Sequence, residues 1–259
     1  MGGESGGLRL AGRVAIVTGA GSKRGIGRAT ALRLASEGAD VVVGDLVFPG
    51  AEETAAEIRS LDRKSLAVQA DVTSEESVAR LVGSALREFG RIDILVNNAG
   101  ITQPKRVLDI TVADWEKVLA VNLKGTFLCC KAVLPTMGKQ GYGRIVNLSS
   151  VSAKRGGGVF GGAHYSAAKA GILGFAKALA REVAAQGITV NSVAPGLVAT
   201  DIRGGLEDPE MQIELAKDIP VKRLAKPEEV AAAIAFLASE DAAYITGEDI
   251  DINGGSHMD

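Results

Sequence analysis

The sequence predicts an α/β fold: one doubly wound parallel sheet with helices on both faces. Three observations carry this. Short β-branched runs alternate with helix-periodic segments along the whole chain. Polar and small residues close several of those runs, where open parallel sheets bind their ligands. A length of 259 residues suits one such domain with a large core, and no internal repeat or Pro/Ser-rich linker divides it. The expected organisation is a Gly-rich, flexible N-terminus over residues 1–9 and a single domain over 10–259.

The elements follow in order. Arg13-Val14-Ala15-Ile16-Val17-Thr18 reads as a buried parallel strand. The turn Gly19-Ala20-Gly21-Ser22-Lys23-Arg24-Gly25-Ile26-Gly27 comes next, then a helical spacing over Arg28–Ala35 that ends at Gly38. Strand, glycine-rich turn and helix in that order is the context of a dinucleotide site. Glycines let the backbone approach a pyrophosphate, and the helix N-terminus favours its charge. A second strand, Asp40–Gly44, is closed by Asp45, about 20 residues beyond the turn. An acid there accepts hydrogen bonds from the adenosine ribose and repels a 2′-phosphate, so Asp45 favours NAD over NADP. Lys23 and Arg24 argue the other way, but exposed loop cations count for less than a like-charge contact. The run Ser65–Gln69 leads to Asp71-Val72, and Ile92–Val96 leads to Asn97-Asn98-Ala99-Gly100. Taken singly, Asn97 and Asn98 read as turn formers.

A helix is expected over Trp115–Leu134, a strand over Arg144–Ser150, a strand over Thr189–Val193 and a helix over Pro227–Ala238. Between them lies Tyr165-Ser166-Ala167-Ala168-Lys169. If helical, positions i and i+4 share a face, and the Lys ammonium can sit beside the phenol. A nearby cation favours the phenolate and makes tyrosine a better acid/base near neutral pH. His164 points away from Tyr165 on a helix and reads as packing or pocket wall.

With these residues placed, the chain resembles an ordinary, single-domain short-chain dehydrogenase/reductase, with a Rossmann-like fold, from about Leu10 to Gly255. The marks are Thr18-Gly19 with Gly25-x-Gly27, Asp71-Val72, Asn97-Asn98-Ala99-Gly100, and Asn122 in Val121-Asn122-Leu123-Lys124-Gly125. Ser149-Ser150, Tyr165-x-x-x-Lys169, Pro195-Gly196 with Thr200, and Thr246-Gly247 before Asn253-Gly254-Gly255 complete them. The resemblance implies nicotinamide-dependent oxidation of an alcohol or reduction of a ketone. It implies Tyr165 as acid/base, Lys169 lowering its pKa and binding the nicotinamide ribose, Ser150 holding the substrate oxygen, and Asn122 supporting a proton relay. Gly19, Gly25, Ile26, Gly27, Asp45, Asp71, Val72, Asn98, Ala99, Gly100, Tyr165, Lys169, Pro195, Gly196, Val198 and Thr200 are its cofactor-binding set. Thr200 can also cap a helix starting near Asp201.

Two departures stand out. The glycine turn is longer than the family's usual one, with Ala20 to Arg24 between Gly19 and Gly25, and the excess is expected to bulge at Ser22-Lys23. The family's serine stands at the distance from Tyr165 that Ser152 occupies, yet Ser150 ends the strand and is the better match. The Gly-rich segment 156–162 is expected to absorb the difference.

The net charge of −2 offers no basic footprint for nucleic acid. No apolar run approaches the ~18 residues of a membrane span, and no signal peptide precedes the first strand. The adjacent Cys129 and Cys130 suit a reducing cytoplasm and make neither a disulfide nor a metal site. The resemblance implies a homotetramer packed through the helices around Asn122 and Tyr165, with C-terminal tails, including His257, able to approach a neighbouring site. The substrate segment is expected at about 201–222. Gln186 and Gly141 stand where carrier-protein reductases of the family tend to hold arginine. With Asp45, that points to NAD (NADP possible) and to a small secondary alcohol, polyol or sugar-like substrate. The alternative is a 3-oxoacyl reductase. A non-enzymatic NAD-binding regulator is the remote one, since a sensor needs no proton relay.

Overall fold

The computed structural model describes residues 8–157, 161–201 and 209–258. The expected Gly-rich start, residues 1–7, and part of the expected substrate segment, 202–208, lie outside the described residues, as do 158–160 of the Gly-rich segment. Strands β1 (Val14–Thr18), β2 (Asp40–Asp45), β3 (Ser65–Gln69), β4 (Ile94–Asn97), β5 (Gly143–Leu148), β6 (Ile188–Pro195) and β7 (Asp249–Ile252) form one sheet in the order β3-β2-β1-β4-β5-β6-β7. Every neighbouring pair is parallel. The doubly wound parallel sheet is as the sequence predicts.

Successive strand residues face opposite sides, and the core divides accordingly. Ala15 and Val17 of β1 join one layer, with Leu34 of α1 (Ile26–Ser36), Ile58 of α2 (Phe48–Arg59) and Ile234 of α9 (Pro227–Leu237). Ile16 joins the other, with Leu81 of α3 (Glu75–Phe89), Val133 of α5 (Gly125–Gln140) and Leu179 of α7 (Ala163–Val183). The α3 helix starts at Ser74, whose hydroxyl accepts from the Ser77 N–H, and it stops at Gly90 in the left-handed region. Three more helices complete the set: α4 (Val112–Leu119), α6 (Ser152–Arg155) and α8 (Pro209–Ala216).

One expected element is corrected. The helix over 115–134 is not regular: α4 and α5 are joined by a π-helical segment, Ala120–Lys124, and the combined helix runs from Val112 to Gln140. By length and apolarity this helix passes for a membrane span. Its apolar face, with Leu128, Cys129, Cys130, Val133 and Met137, packs in the second core layer. Burial pushes the Cys129 thiol up to about 12 and Cys130 higher still, so both are inert as thiolates.

The amino ends of the strands are held by one buried carboxylate. Asp93 is fully buried and accepts the Val14 N–H at 2.9 Å, Arg91 through two nitrogens, and Arg13 at 3.3 Å. Arg13 also lies over the Tyr142 ring at 3.7 Å, and Arg144 lies over it at 4.3 Å. Removing one partner of such a group strands the rest. Asp93→Ala is therefore expected to lower unfolding stability by about 3 kcal/mol, read from urea denaturation. A loss well under 1 kcal/mol would show that Asp93 is not the clamp.

Candidate active site

The carboxyl ends of β1 and β4 are stitched together. Thr18 Oγ1 accepts from the backbone N–H groups of Asn98 and Ala99, both at 3.2 Å. The Asn98 side-chain amide donates to the Thr18 carbonyl at 2.9 Å and to the Gly19 carbonyl at 2.7 Å. A Cβ on Gly27 would stand 2.4 Å from Asn98 Nδ2 and 2.5 Å from the Gly19 carbonyl oxygen, so only glycine lets α1 begin this close. Gly25 precedes α1 with no side-chain cap, and the first turn holds no acid. Its leading N–H groups are thus left for an anionic ligand.

A cleft of about 560 Å³ opens above this stitch, a size that suits a small organic ligand. At one end stands Asp45, whose carboxylate accepts from the Gly21 N–H at 2.8 Å and the Val47 N–H at 2.9 Å. The long turn projects there as an exposed excursion, Ser22 to Arg24, closed by the Gly25 N–H on the Ser22 carbonyl at 3.0 Å. Its cations are engaged by acids: Lys23 Nζ lies 3.4 Å from Glu53, and Arg24 Nε donates to Asp201 at 2.6 Å. Partial burial pushes the Asp201 carboxyl up, but the bonds from Arg24 and Ser22 outweigh it and hold the group below its ordinary value.

At the other end, α7 places Tyr165 and Lys169 one turn apart, with Lys169 Nζ 5.7 Å from the phenol ring centre. Lys169 is buried and donates to the Leu148 carbonyl at 2.6 Å. Ser149 Oγ donates to the Lys169 carbonyl at 2.9 Å, tying α7 to the end of β5. Ser150 lines the cleft, and its Oγ accepts from the Ser152 N–H at 3.2 Å. Asn122 sits in the π-helical segment, fully buried, with its amide nitrogen donating to Val118 O at 2.9 Å and Ile101 O at 3.0 Å. Its Oδ1 has no partner among the described residues. A Cβ on Gly100 would stand 2.7 Å from that oxygen and 3.5 Å from Lys169 Nζ, so both groups converge on one bare glycine.

The cleft lining includes Gly19, Gly25, Ile26, Asp45, Asp71, Val72, Asn98, Ala99, Gly100, Asn122, Ser150, Tyr165, Lys169, Pro195, Gly196, Val198 and Thr200. Of the expected set only Gly27 stands behind the lining, as packing beneath the turn. Ser152 is not in the lining. The helix expected near Asp201 falls on residues outside the described ones. Lining residues outside the expected site set include Lys117 and Ser149, and Asp201, expected only within the substrate segment, lines the cleft as well. A serine pair at a strand end signals Ser149; nothing local signals Asp201's contact with Arg24. His164 is buried as packing, its Nε2 3.1 Å from Gln103 Oε1. In the tail, the Asn253 side chain donates to the His257 carbonyl at 3.0 Å.

The shape and donors of this cleft fit a dinucleotide: bare glycine backbone over an uncapped helix start, an acid at the far end, and an unpartnered buried acceptor beside a buried lysine. Comparison with known proteins agrees. Residues 19–257 match the family described as enoyl-(acyl carrier protein) reductase. The chain is 47% identical over 249 residues to an uncharacterized short-chain type dehydrogenase/reductase of Sinorhizobium fredii, covering 96% of this chain and 98% of that one. It is 47% identical over 252 residues to a 3-oxoacyl-(acyl-carrier-protein) reductase of Synechocystis, covering 96% and 98%. A solved structure from Sinorhizobium meliloti 1021, described provisionally as a short-chain alcohol dehydrogenase, superposes with a TM-score of 0.90 at 38% identity, covering 97% and 98%.

Burial pushes the Lys169 ammonium from an ordinary 10.5 down to about 8. The unfolded chain then holds this proton more tightly than the folded one, so stability rises with pH between those two values. Lys169→Met is expected to stabilise the fold at pH 7 by up to about 3 kcal/mol, less about 1 kcal/mol for the lost bond to Leu148 O. At pH 10 the buried-charge part should fall below about 1 kcal/mol. Thermal melts at both pH values read it; a difference that does not change with pH would refute the buried-charge account.

Proposed function

The chain belongs to the short-chain dehydrogenase/reductase family, and on that premise we propose that it is an NAD-linked oxidoreductase interconverting a secondary alcohol and a ketone on a small polyol, sugar-like or hydroxy substrate. The observation that carries this is the convergence of Ser150, Tyr165, Lys169 and Asn122 on one end of a cleft whose other end is closed by Asp45. The nicotinamide cofactor supplies the hydride acceptor or donor when bound. Gly19, Gly25, Ile26 and Gly27 would shape its pyrophosphate seat, Asp45 would hold the adenosine ribose, and Asp71, Val72 and Asn98 to Gly100 would flank the adenosine half. Pro195, Gly196, Val198 and Thr200 would flank the nicotinamide half.

Tyr165 takes the proton of the substrate hydroxyl in oxidation and returns it in reduction. Ser150 donates a hydrogen bond to the same oxygen and stabilises charge developing on it. Lys169, buried beside the phenol, favours the phenolate. Asn122 presents its unpartnered Oδ1 beside Lys169, where an acceptor can hold a water that passes the proton outward. Exposed apolar side chains on the helix bearing Asn122, namely Val112, Trp115 and Phe127, support assembly through that face into a homotetramer.

The second reading, a 3-oxoacyl reductase, is favoured by the name of the Synechocystis relative. Against it, Gln186 is uncharged and exposed, and Gly141 is a bare left-handed helix end, so neither offers a cation to an acidic carrier protein.

Tyr165→Phe is expected to reduce kcat at least a hundredfold while NADH affinity, read by calorimetry, stays within about twofold. An active Phe variant would remove Tyr165 from the chemistry. Wild type is expected to bind NADH more tightly than NADPH, and Asp45→Ala to narrow that gap about tenfold or more. Turnover of a 3-oxoacyl thioester with NADPH, and of no polyol with NAD, would transfer the assignment to the second reading.

A further inference from the structure

The long glycine turn and the residue after Thr200 meet across the sheet. β1 feeds the turn, β6 leads to Asp201, and β4 and β5 stand between them. With strands ~4.8 Å apart, the two strand ends are separated by about 14 Å. The excursion of the turn closes that gap. The Asp201 carboxylate accepts three bonds from it: from Ser22 Oγ at 3.1 Å, from the Arg24 backbone N–H at 3.0 Å and from Arg24 Nε at 2.6 Å. Ser22 and Asp201 both line the cleft. A backbone donor fixes the carboxylate in place, and the guanidinium then follows it.

This matters at the Asp45 end. The turn starts against that carboxylate, for a Cβ on Gly21 would stand 2.9 Å from Asp45 Cγ. Three residues span at most about 11 Å, so the Arg24 backbone lies within that distance of the glycine that packs on Asp45. A guanidinium is also the side chain best shaped for a phosphate, which it binds through paired N–H groups. The other cation of the turn, Lys23, lies by Glu53.

We propose that Asp201 is a second determinant of cofactor choice: by holding the Arg24 guanidinium it withholds from a 2′-phosphate a cation of the turn able to pair with one. Asp45 repels the phosphate directly; Asp201 acts from the far side of the cleft by occupying its natural partner. The inference rests on the NAD-linked reading of the site. The pair is partly exposed, with side chains 44% and 35% accessible, so its hold on Arg24 is modest and the effect should be graded.

The test is calorimetric binding of NADH and NADPH to wild type, D201N, R24Q and the double variant. D201N keeps an oxygen for the Arg24 N–H but loses the charge. It should tighten NADPH about five- to tenfold and leave NADH within about twofold. R24Q alone should change NADPH little, and in the double variant the gain should vanish. An unchanged NADPH affinity in D201N, or a gain that survives in the double variant, overturns the proposal. Wild type binding NADPH more tightly than NADH would instead defeat the NAD-linked reading, and the D201N comparison would still decide the role of Asp201. If D201N does not fold, Asp201→Ser, which also keeps a short acceptor without charge, is read by the same criteria.

Discussion

The site depends first on the join between β1 and β4. These strands are neighbours, yet the chain leaves β1 toward the α1 face and leaves β4 toward the α5 face. Such a point opens a crevice whatever the side chains are. Left alone it would also leave backbone carbonyls bare. Here the Asn98 amide takes the Thr18 and Gly19 carbonyls, and the Thr18 hydroxyl takes the Asn98 and Ala99 N–H groups. One hydroxyl and one amide thus satisfy the floor of the cleft from within. The glycine turn, the start of α1 and the run Asn98 to Gly100 inherit their positions from that stitch.

The second constraint is the cost of placing a cation in the interior. Lys169 is buried where its charge is disfavoured, and its ammonium donates to the Leu148 carbonyl. The structure holds it there by backbone: Ser149 anchors the Lys169 carbonyl, and Leu148 supplies the acceptor, both from the end of β5. The π-helical turn is a parallel case. In this wide turn the Asn122 amide donates to the Val118 carbonyl, and its buried Oδ1 has no partner among the described residues. Departures from regular structure of this kind are destabilising by themselves and gather where a reaction needs them. Replacing Lys169 by an apolar side chain would relieve its part of that cost, which is the usual relation between stability and a working site.

Much of this was legible in the sequence because it is local. Strands β1, β2, β3, β5 and β6 fall within one or two residues of the β-branched runs, since alternation and burial are written into each segment. The i, i+4 pair of Tyr165 and Lys169 follows from helix geometry alone. Ser150, expected to end its strand, lies two residues past the end of β5 and lines the cleft. The π-helical segment could not be read, because helix periodicity does not separate a wide turn from a regular one; there the Asn122 amide meets the Ile101 and Val118 carbonyls. The partner of Arg24 could not be read either, since it lies 177 residues away and is set by the sheet order.

The scaffold does not choose the substrate. Relatives named as carrier-protein reductases and a neighbour described as an alcohol dehydrogenase share this architecture, and delivering a proton to a ketone oxygen is the same task for each. What can differ is the rim. Asp45 and Arg24 of the long turn stand on one side of the cleft and Asp201 across from them, at least partly exposed and outside both core layers. Gln186 and Gly141 are exposed on the surface. Side chains at such places lie outside the core, whereas the stitch, Lys169 and Asn122 are each bonded to the backbone around them. The rim can therefore change while the buried end of the cleft keeps its bonds, so likeness of the scaffold alone does not separate one substrate from another.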